Sequence, residues 1–561
     1  MLKSYIVTYN GEKLKLEEEL KSNNINEYNI LNEKIAIIYI DEKFLDSNLY
    51  KFEAIYDWTV SRPVSSLIEM SELTDNGESP REVSGANYID QNPYITAYGK
   101  DTVIAIIDSG INYLHPDFIN NDGSSKIISI WDQGSKIGKP PDNINLGSEF
   151  KRDLINEYIK LKDDSLTKDF IGTGTIAAGI CAGNGNENKL YKGISPKSEL
   201  VIVKLREYED IYKEGIKSYE LSDFLLAVKY IVEVSKNYKK TFIINLTVAE
   251  RSKSVIVTNF LDTFKELKKG GNILISGLGN EGNTDIHYSG KFESIDESED
   301  ILIQVGEQKN LDITISCVGP DKISATLISP SGELSYPIQY APDEKVYKGT
   351  FNVEGTSYSS KYIYPWIKSG TEEIIISLNN VKQGIWTLRL MPEFILIGEY
   401  NIYLPNKNLI DKDTRFINSN YFSSTTIFAT TENVIAVGGF NNKTDSMWIE
   451  SSVGTLNQTP IRPDIVAPSV DIMGCYKNNS YIKASGTGIA SSITSGITAL
   501  IVDFLISQSD LNKSLIFTDV IKTYLMVGAD RLDIYKYPNV RMGYGVLNFK
   551  NTIQQIAKNI R

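Results

Sequence analysis

Histidine occurs only twice in this 561-residue chain, at His115 and His287, so any mechanism that needs an imidazole base must use one of these rings. Cysteine is almost as scarce. Cys181, Cys317 and Cys475 are odd in number and far apart, which excludes a disulfide framework and the paired spacing of a zinc knuckle; they read as small buried apolar side chains. Basic residues are outnumbered, 58 Lys and Arg against 71 Asp and Glu, and a net charge of −13 argues against nucleic acid or an anionic membrane as partner, since both demand clustered cations. The opening MLKSYIVTYNGEKLKLEEEL has neither an apolar core nor a small-residue cleavage site, so a secretory signal is not expected. Membrane insertion is not expected either, because the best apolar run, SITSGITALIVDFLIS, is interrupted by Ser, Gly and Asp. No cofactor motif or metal site can be read; the scattered Asp and Asn are those of solvated loops.

What is present divides into stretches of different period. The length suggests two to four domains. Residues 1–65 read as a small α/β unit, with SYIVTYN and KIAIIYI as strands around the amphipathic helix KLKLEEELKSN. Residues 66–95, dense in Gly, Ser, Asn and Pro, read as a linker or crossing segment. From 96 to 286 the apolar runs DTVIAIID, ELVIVKL, TFIINLTV and GNILISGLG alternate with helical stretches such as SDFLLAVKYIVEVSKN and VIVTNFLDTFKELKKG. That alternation predicts a parallel sheet with helices on both faces and a ligand site beyond the strand C-termini, where Asp108, Asn245 and Asn280 fall. Residues 287–430 switch to period-2 strands, among them DITISCVG, EEIIISLNN and IWTLRLMP, and predict an inserted all-β sandwich. The parallel pattern resumes at ENVIAVGGF and fills 431–561.

Four segments now stand in an order that resembles the subtilisin-like serine proteases. VIAIIDSGINYLHPDF resembles the family's aspartate motif, with Asp108 in the triad position. DFIGTGTIAAGICAGNG resembles the histidine motif, with Thr173 in place of the histidine. ISGLGNEGN resembles the oxyanion segment, with Asn280 as side-chain donor. ASGTGIASSITSG resembles the nucleophile motif, with Gly488 in place of the serine. RPDIVAPS and GYGVLN add weaker matches. The resemblance implies a subtilisin-like α/β fold, a small α/β prodomain over residues 1–65, and a jelly-roll-like insertion.

The departures decide the chemistry. Attack on a peptide carbonyl needs a hydroxyl nucleophile and a base to take its proton. Gly488 has no oxygen, and the Thr173 hydroxyl cannot act as a base near neutral pH. Residual acceleration from oxyanion donors alone, about 10³–10⁴ over water, is negligible for a protease. Ser485 and Ser491 are expected to point elsewhere, and His115 and His287 to be structural. Without an imidazole, Asp108 is expected to be held by backbone and hydroxyl donors, Thr173 among them. INLTVAERS departs from the family's Asn-x-Ser-Leu-Gly, and Ala249 in place of glycine is expected to narrow the substrate cleft.

The inserted β domain and the Ile/Lys/Asn/Tyr-rich composition resemble the clostridial Csp germination subfamily, most closely its CspC-type pseudoprotease, with the CspA-type as the alternative. That resemblance implies an inactive, spore-located regulator of a partner Csp-type protease that activates a cortex hydrolase, with a bile-salt-like small molecule as germinant. It also implies that the prodomain stays attached. The rival readings are an active serine endopeptidase with relocated groups and a structural spore scaffold.

Overall fold

The computed structural model describes residues 2–41, 49, 51–71, 77–250, 261, 264–341, 346–364, 372–456, 459–509 and 515–560. Its centre is the parallel sheet that the apolar runs imply. In spatial order the strands are Ser446–Met447, Ile435–Asn441, Asn272–Gly277, Thr241–Leu246, Thr102–Asp108, Glu199–Lys204, Ile127–Asp132 and Ser148–Lys151, with Ile465–Pro468 also paired to Ile435–Asn441. The interior pairs are parallel and only the pairs at the two ends are antiparallel. Thr102–Asp108 is buried at every position, and its alternate side chains feed two cores. Val103, Ala105 and Ile107 pack with the helix Leu221–Lys236 on one face. Ile104 and Ile106 pack with the helices Thr173–Ala182 and Thr487–Ser509 on the other. Each Val or Ile among them contributes about 1.5–3 kcal/mol on full burial, which is why neither face alternates with polar residues.

The helix beginning at Thr487 corrects one expectation. Over Thr487–Ser507 it is long and apolar enough to cross a membrane, despite its Ser, Gly and Asp. Nearly all of that surface is buried in the sheet's core, so its apolarity belongs to folding. The helix expected over 255–270 lies largely outside the described residues, and its described tail from Phe264 forms turns.

The first sixty residues form a four-stranded antiparallel sheet in the order Tyr28–Ile30, Ile35–Asp41, Leu2–Tyr9, Ile55–Val60. Tyr5, Val7 and Ile38 cover Leu16 and Leu20 of the helix Lys13–Ser22. Ile6, Ile35 and Ile37 turn the other way and join the core around Leu221–Lys236. This small sheet is therefore docked by its second apolar face.

Between 287 and 416 lies an antiparallel sandwich. Its six-stranded sheet runs His287–Lys291, Glu399–Tyr403, Asn310–Cys317, Glu372–Asn379, Thr356–Ile363, Val346–Phe351; the facing sheet has four strands. Ile313, Ile376, Leu388 and Trp386 lie between them, and the period-2 alternation leaves the outer faces polar.

Residues 66–95, read from composition as a linker, are built into the body. Pro63–Ser66 and Glu69–Met70 are strands in two small sheets, and Arg81 is buried, donating to the Ile194 and Ala86 carbonyls and to Asp90. Just before this stretch, Arg62 ties three units together. Its guanidinium lies 3.7 Å from Glu250 of the α/β body and 3.2 Å from Glu373 of the sandwich, with all three side chains about nine-tenths buried or more.

Removing one member of a buried ion group leaves the others uncompensated. Arg62→Ala is therefore expected to cost about 3–5 kcal/mol, measured by urea unfolding of the whole chain. A loss below about 1 kcal/mol would show that the two carboxylates do not depend on it.

Candidate functional site

Asp108 ends the central strand, fully buried. Its carboxylate accepts from three donors: the Thr173 hydroxyl on one oxygen, the Thr247 hydroxyl on the other, and the Ser109 N–H at 2.6 Å. Thr173 opens the helix Thr173–Ala182, so its hydroxyl faces the strand end, where Ser109 Oγ stands 3.0 Å away. Burial pushes the Asp108 carboxyl up to about 6, and the two hydroxyls and the N–H offset only part of this. Thr247, noted in the sequence only as a departure from the family pattern, is thus a principal ligand of the carboxylate. Its signal was its place one residue beyond the strand Thr241–Leu246, next to the end of Thr102–Asp108.

Gly488 lies in the first turn of the long helix, and the N–H of Gly488 and the side chain of Asn280 converge on one atom. That atom is the carbonyl oxygen of Leu67, at 3.0 Å from the Gly488 N–H and 3.2 Å from Asn280 Nδ2. The Asn280 amide is held in this orientation because its oxygen accepts from the Thr487 N–H at 2.9 Å and the Thr487 hydroxyl at 2.8 Å. The pair has the geometry of an oxyanion hole, and a neutral carbonyl of the same chain fills it.

The polypeptide around Leu67 runs through the cleft as a strand. Pro63–Ser66 lies between Lys217–Glu220 and Val248–Ala249, antiparallel to both, with Val64 opposite Tyr219 and Ser65 opposite Ala249. The Leu67 N–H donates to the Thr247 carbonyl at 2.8 Å. Beyond the hole, Glu69–Met70 pairs with the Tyr481–Ser485 strand. The expectation that Ala249 narrows the cleft is therefore corrected: a β-carbon there points across the pleat and leaves the backbone edge free to pair.

Two glycines make the close seat. Gly486 has φ 132°, and a β-carbon on it would stand 2.1 Å from the Leu67 oxygen. A β-carbon on Gly488 would stand 2.7 Å from Ile68 Cγ1 and 2.9 Å from the Leu67 oxygen. The Leu67–Ile68 peptide thus lies against the bare backbone at the position where a nucleophile would project.

The remaining candidates are engaged elsewhere. His115 accepts the Asp117 N–H on Nδ1 and meets the Ser480 carbonyl through Nε2, with Tyr481 edge-on to its ring. His287 lies in the sandwich against the Asn420 carbonyl and Asn401. Ser491 donates to the Gly488 carbonyl, and Ser485 accepts from the Asp471 N–H. Asn245 turns into the core toward Ser492 rather than into the cleft. Among the described residues one buried group, His115, Asp117 and Cys475, has metal-ligand residue types within 4.8 Å. Its donors are already spent: Asp117 accepts from the Glu187 N–H, the Tyr481 hydroxyl and the Cys475 thiol, and burial pushes that thiol well up.

A family model described as the subtilase family matches residues 99–545. The chain is 22% identical over 515 residues to the PIII-type proteinase of Lactococcus lactis subsp. cremoris, covering 82% of this chain and 25% of that protein. It is 25% identical over 237 residues to the major intracellular serine protease of Bacillus subtilis, covering 41% of this chain and 61% of that one. The chain thus spans only about a quarter of the lactococcal proteinase's length. Among solved structures it is similar to the Clostridium perfringens CspB protease, with a TM-score of 0.74 and 24% identity over 86% of this chain and 98% of that one.

Two outcomes follow from the geometry. The ordinary value for Asp108 is 3.8, so below that pH its burial carries no charge penalty, and the penalty grows as pH rises through about 6. Asp108→Asn abolishes the titration. Its stability relative to the parent is expected to shift in the variant's favour by about 2 kcal/mol between about pH 4 and about pH 7, measured by urea unfolding. No shift would mean that the hydroxyls hold the charge without cost. Gly488→Ala is expected to unseat the strand and speed proteinase K cleavage near residues 63–70; an unchanged rate would show that the backbone accommodates the methyl group.

Proposed function

This chain belongs to the subtilase family, and from that premise we propose that it is a pseudoprotease, a catalytically inactive member that acts by binding. The single observation that carries this reading is the side-chain content of the site: the Leu67 carbonyl sits in the oxyanion hole against the bare backbone of Gly488, and Thr173 stands on Asp108 where a base is needed. An active enzyme would present a hydroxyl and an imidazole to that carbonyl. Here the carboxylate that would orient the imidazole is bound by Thr173 and Thr247 instead.

The proposal extends to a place in the clostridial Csp germination subfamily. The β-sandwich insertion and the likeness in fold to the C. perfringens CspB protease support it. In this reading the protein resides in the bacterial spore, keeps its first sixty residues attached, and regulates a partner Csp-type protease or pseudoprotease upstream of a cortex hydrolase, with a bile-salt-like small molecule as the germinant signal. A surface that regulates a protease needs the family's shape without its chemistry, and the polar degenerate triad under an intact sheet meets that requirement.

Intact mass of the purified protein tests the core of the proposal. The expected result is a single species with the mass of the uncut 561-residue chain and no labelling by a serine-directed fluorophosphonate. A trimmed N-terminus together with probe labelling would overturn it and favour an active endopeptidase.

A further inference from the structure

A large cavity lies away from the degenerate triad. It measures about 1220 Å³ and opens where the N-terminal sheet, the sandwich and the α/β body meet. One wall is the outer face of the six-stranded sandwich sheet. Strand register sets polar side chains there in rows: Asp312, Ser377, Ser359 and Lys348 form one, and Asn310, Asn379, Ser357 and Thr350 the next. Neighbours in such rows stand about 5 Å apart. The backbones of Ser377, Ser359, Ser357, Thr350 and Asn379 pair in the sheet, but their side chains make no hydrogen bond to another described group, so this wall presents unspent hydroxyl and amide groups. Asp312 does have a partner, the Tyr212 hydroxyl.

The floor offers a second, independent sign of a ligand. The Tyr39 hydroxyl is buried without a hydrogen bond of good geometry, its polar neighbour being the Asn29 side chain that also lines the cavity. Beside it the Glu220 carboxyl, which also lines the cavity, is pushed up to about 7 by burial, so it retains a proton to donate near neutral pH. Half-buried Tyr28 and Tyr208 add ring surface.

The charge on the walls is largely cancelled internally. Arg62 is paired with Glu250 and Glu373, Arg206 with Asp223, and Lys361 with Asp57. Lys3 and Lys348 are exposed to solvent. Apolar side chains share the lining, Val60, Leu146, Ile211 and Val346 among them, and offer surface for the C–H faces of sugar rings. Such a lining suits a ligand that is rich in hydroxyls, uncharged, and larger than a single ring.

We propose that this cleft binds a neutral oligosaccharide, whose hydroxyls engage the Ser, Thr and Asn rows on one side and the Tyr39–Glu220 floor on the other. Because the lining is drawn from all three units, the bound sugar would bridge the N-terminal sheet to the sandwich. The inference does not rest on the loss of catalysis: a cleaving protein with this cleft would bind sugar equally.

Saturation-transfer NMR and calorimetry on the full chain, with chitotetraose, maltotetraose and taurocholate as separate probes, test it. At least one tetrasaccharide is expected to bind saturably. Ser359→Leu and Ser377→Leu place apolar groups on an outward face whose serines hold no other part of the fold, so both variants are expected to melt with the parent. Each is expected to weaken sugar binding by at least about tenfold. Failure of both sugars to bind, sugar binding untouched by both substitutions, or binding of taurocholate alone would each overturn the proposal.

Discussion

The rest of the molecule is organised around one hydrogen-bonded carbonyl. The Leu67 oxygen takes the Gly488 N–H and the Asn280 amide, and from that point the chain is laid out in both directions. Upstream it pairs as a strand between two edges of the cleft, and Arg62 then locks into the carboxylates of two separate units. Downstream it pairs with the strand that leads into the long buried helix. Each hydrogen bond alone is worth only about 1 kcal/mol net. Their weight comes from continuity, because a strand with several main-chain bonds and a buried ion group at its end is lost only as a unit.

The hole itself holds a neutral carbonyl of its own chain. Donors aimed at a developing negative charge hold a neutral carbonyl less strongly than an oxyanion, so the site is better matched to a charged oxygen than to the carbonyl it holds. Asp108 shows the complementary case. Its negative charge would stabilise an imidazolium in a working triad, yet here two threonine hydroxyls and one N–H surround it and burial raises its carboxyl to about 6. Hydroxyls satisfy the oxygens as acceptors without supplying a countercharge. The strand end is therefore satisfied in its hydrogen bonds but not free of energetic cost.

Much of this was legible from residues alone, and the reasons for the remainder are physical. Both-face burial makes parallel strands read as unbroken apolar runs, so DTVIAIID and TFIINLTV identified themselves, and period-2 alternation did the same for the sandwich. The glycine and threonine at the triad positions were readable because the flanking motifs keep their spacing. The occupant of the cleft was not, since residues 66–95 have the composition of a linker. Main-chain pairing needs no particular side chain, and a strand held by its backbone leaves little trace in residue type. Thr247 escaped for a related reason: its partner Asp108 is 139 positions away and meets it only once the strands pair in register. For the helix from Thr487 only the stated reason failed: its Ser, Gly and Asp leave it long and apolar enough to span a bilayer, because burial inside a protein and burial in a bilayer select the same residues.

On the proposed reading, in which the chain stays uncut, the attachment of the cleft strand has one more consequence. An occupant tied to the body by a short connection is present at a local concentration in the millimolar range, whatever the protein's own dilution. Any peptide arriving from solution meets a site that is vacant for only the fraction of time that this strand swings out. Its apparent dissociation constant is the intrinsic one divided by that open fraction, so the affinity of the cleft for visitors is set mainly by how well residues 62–70 hold their place.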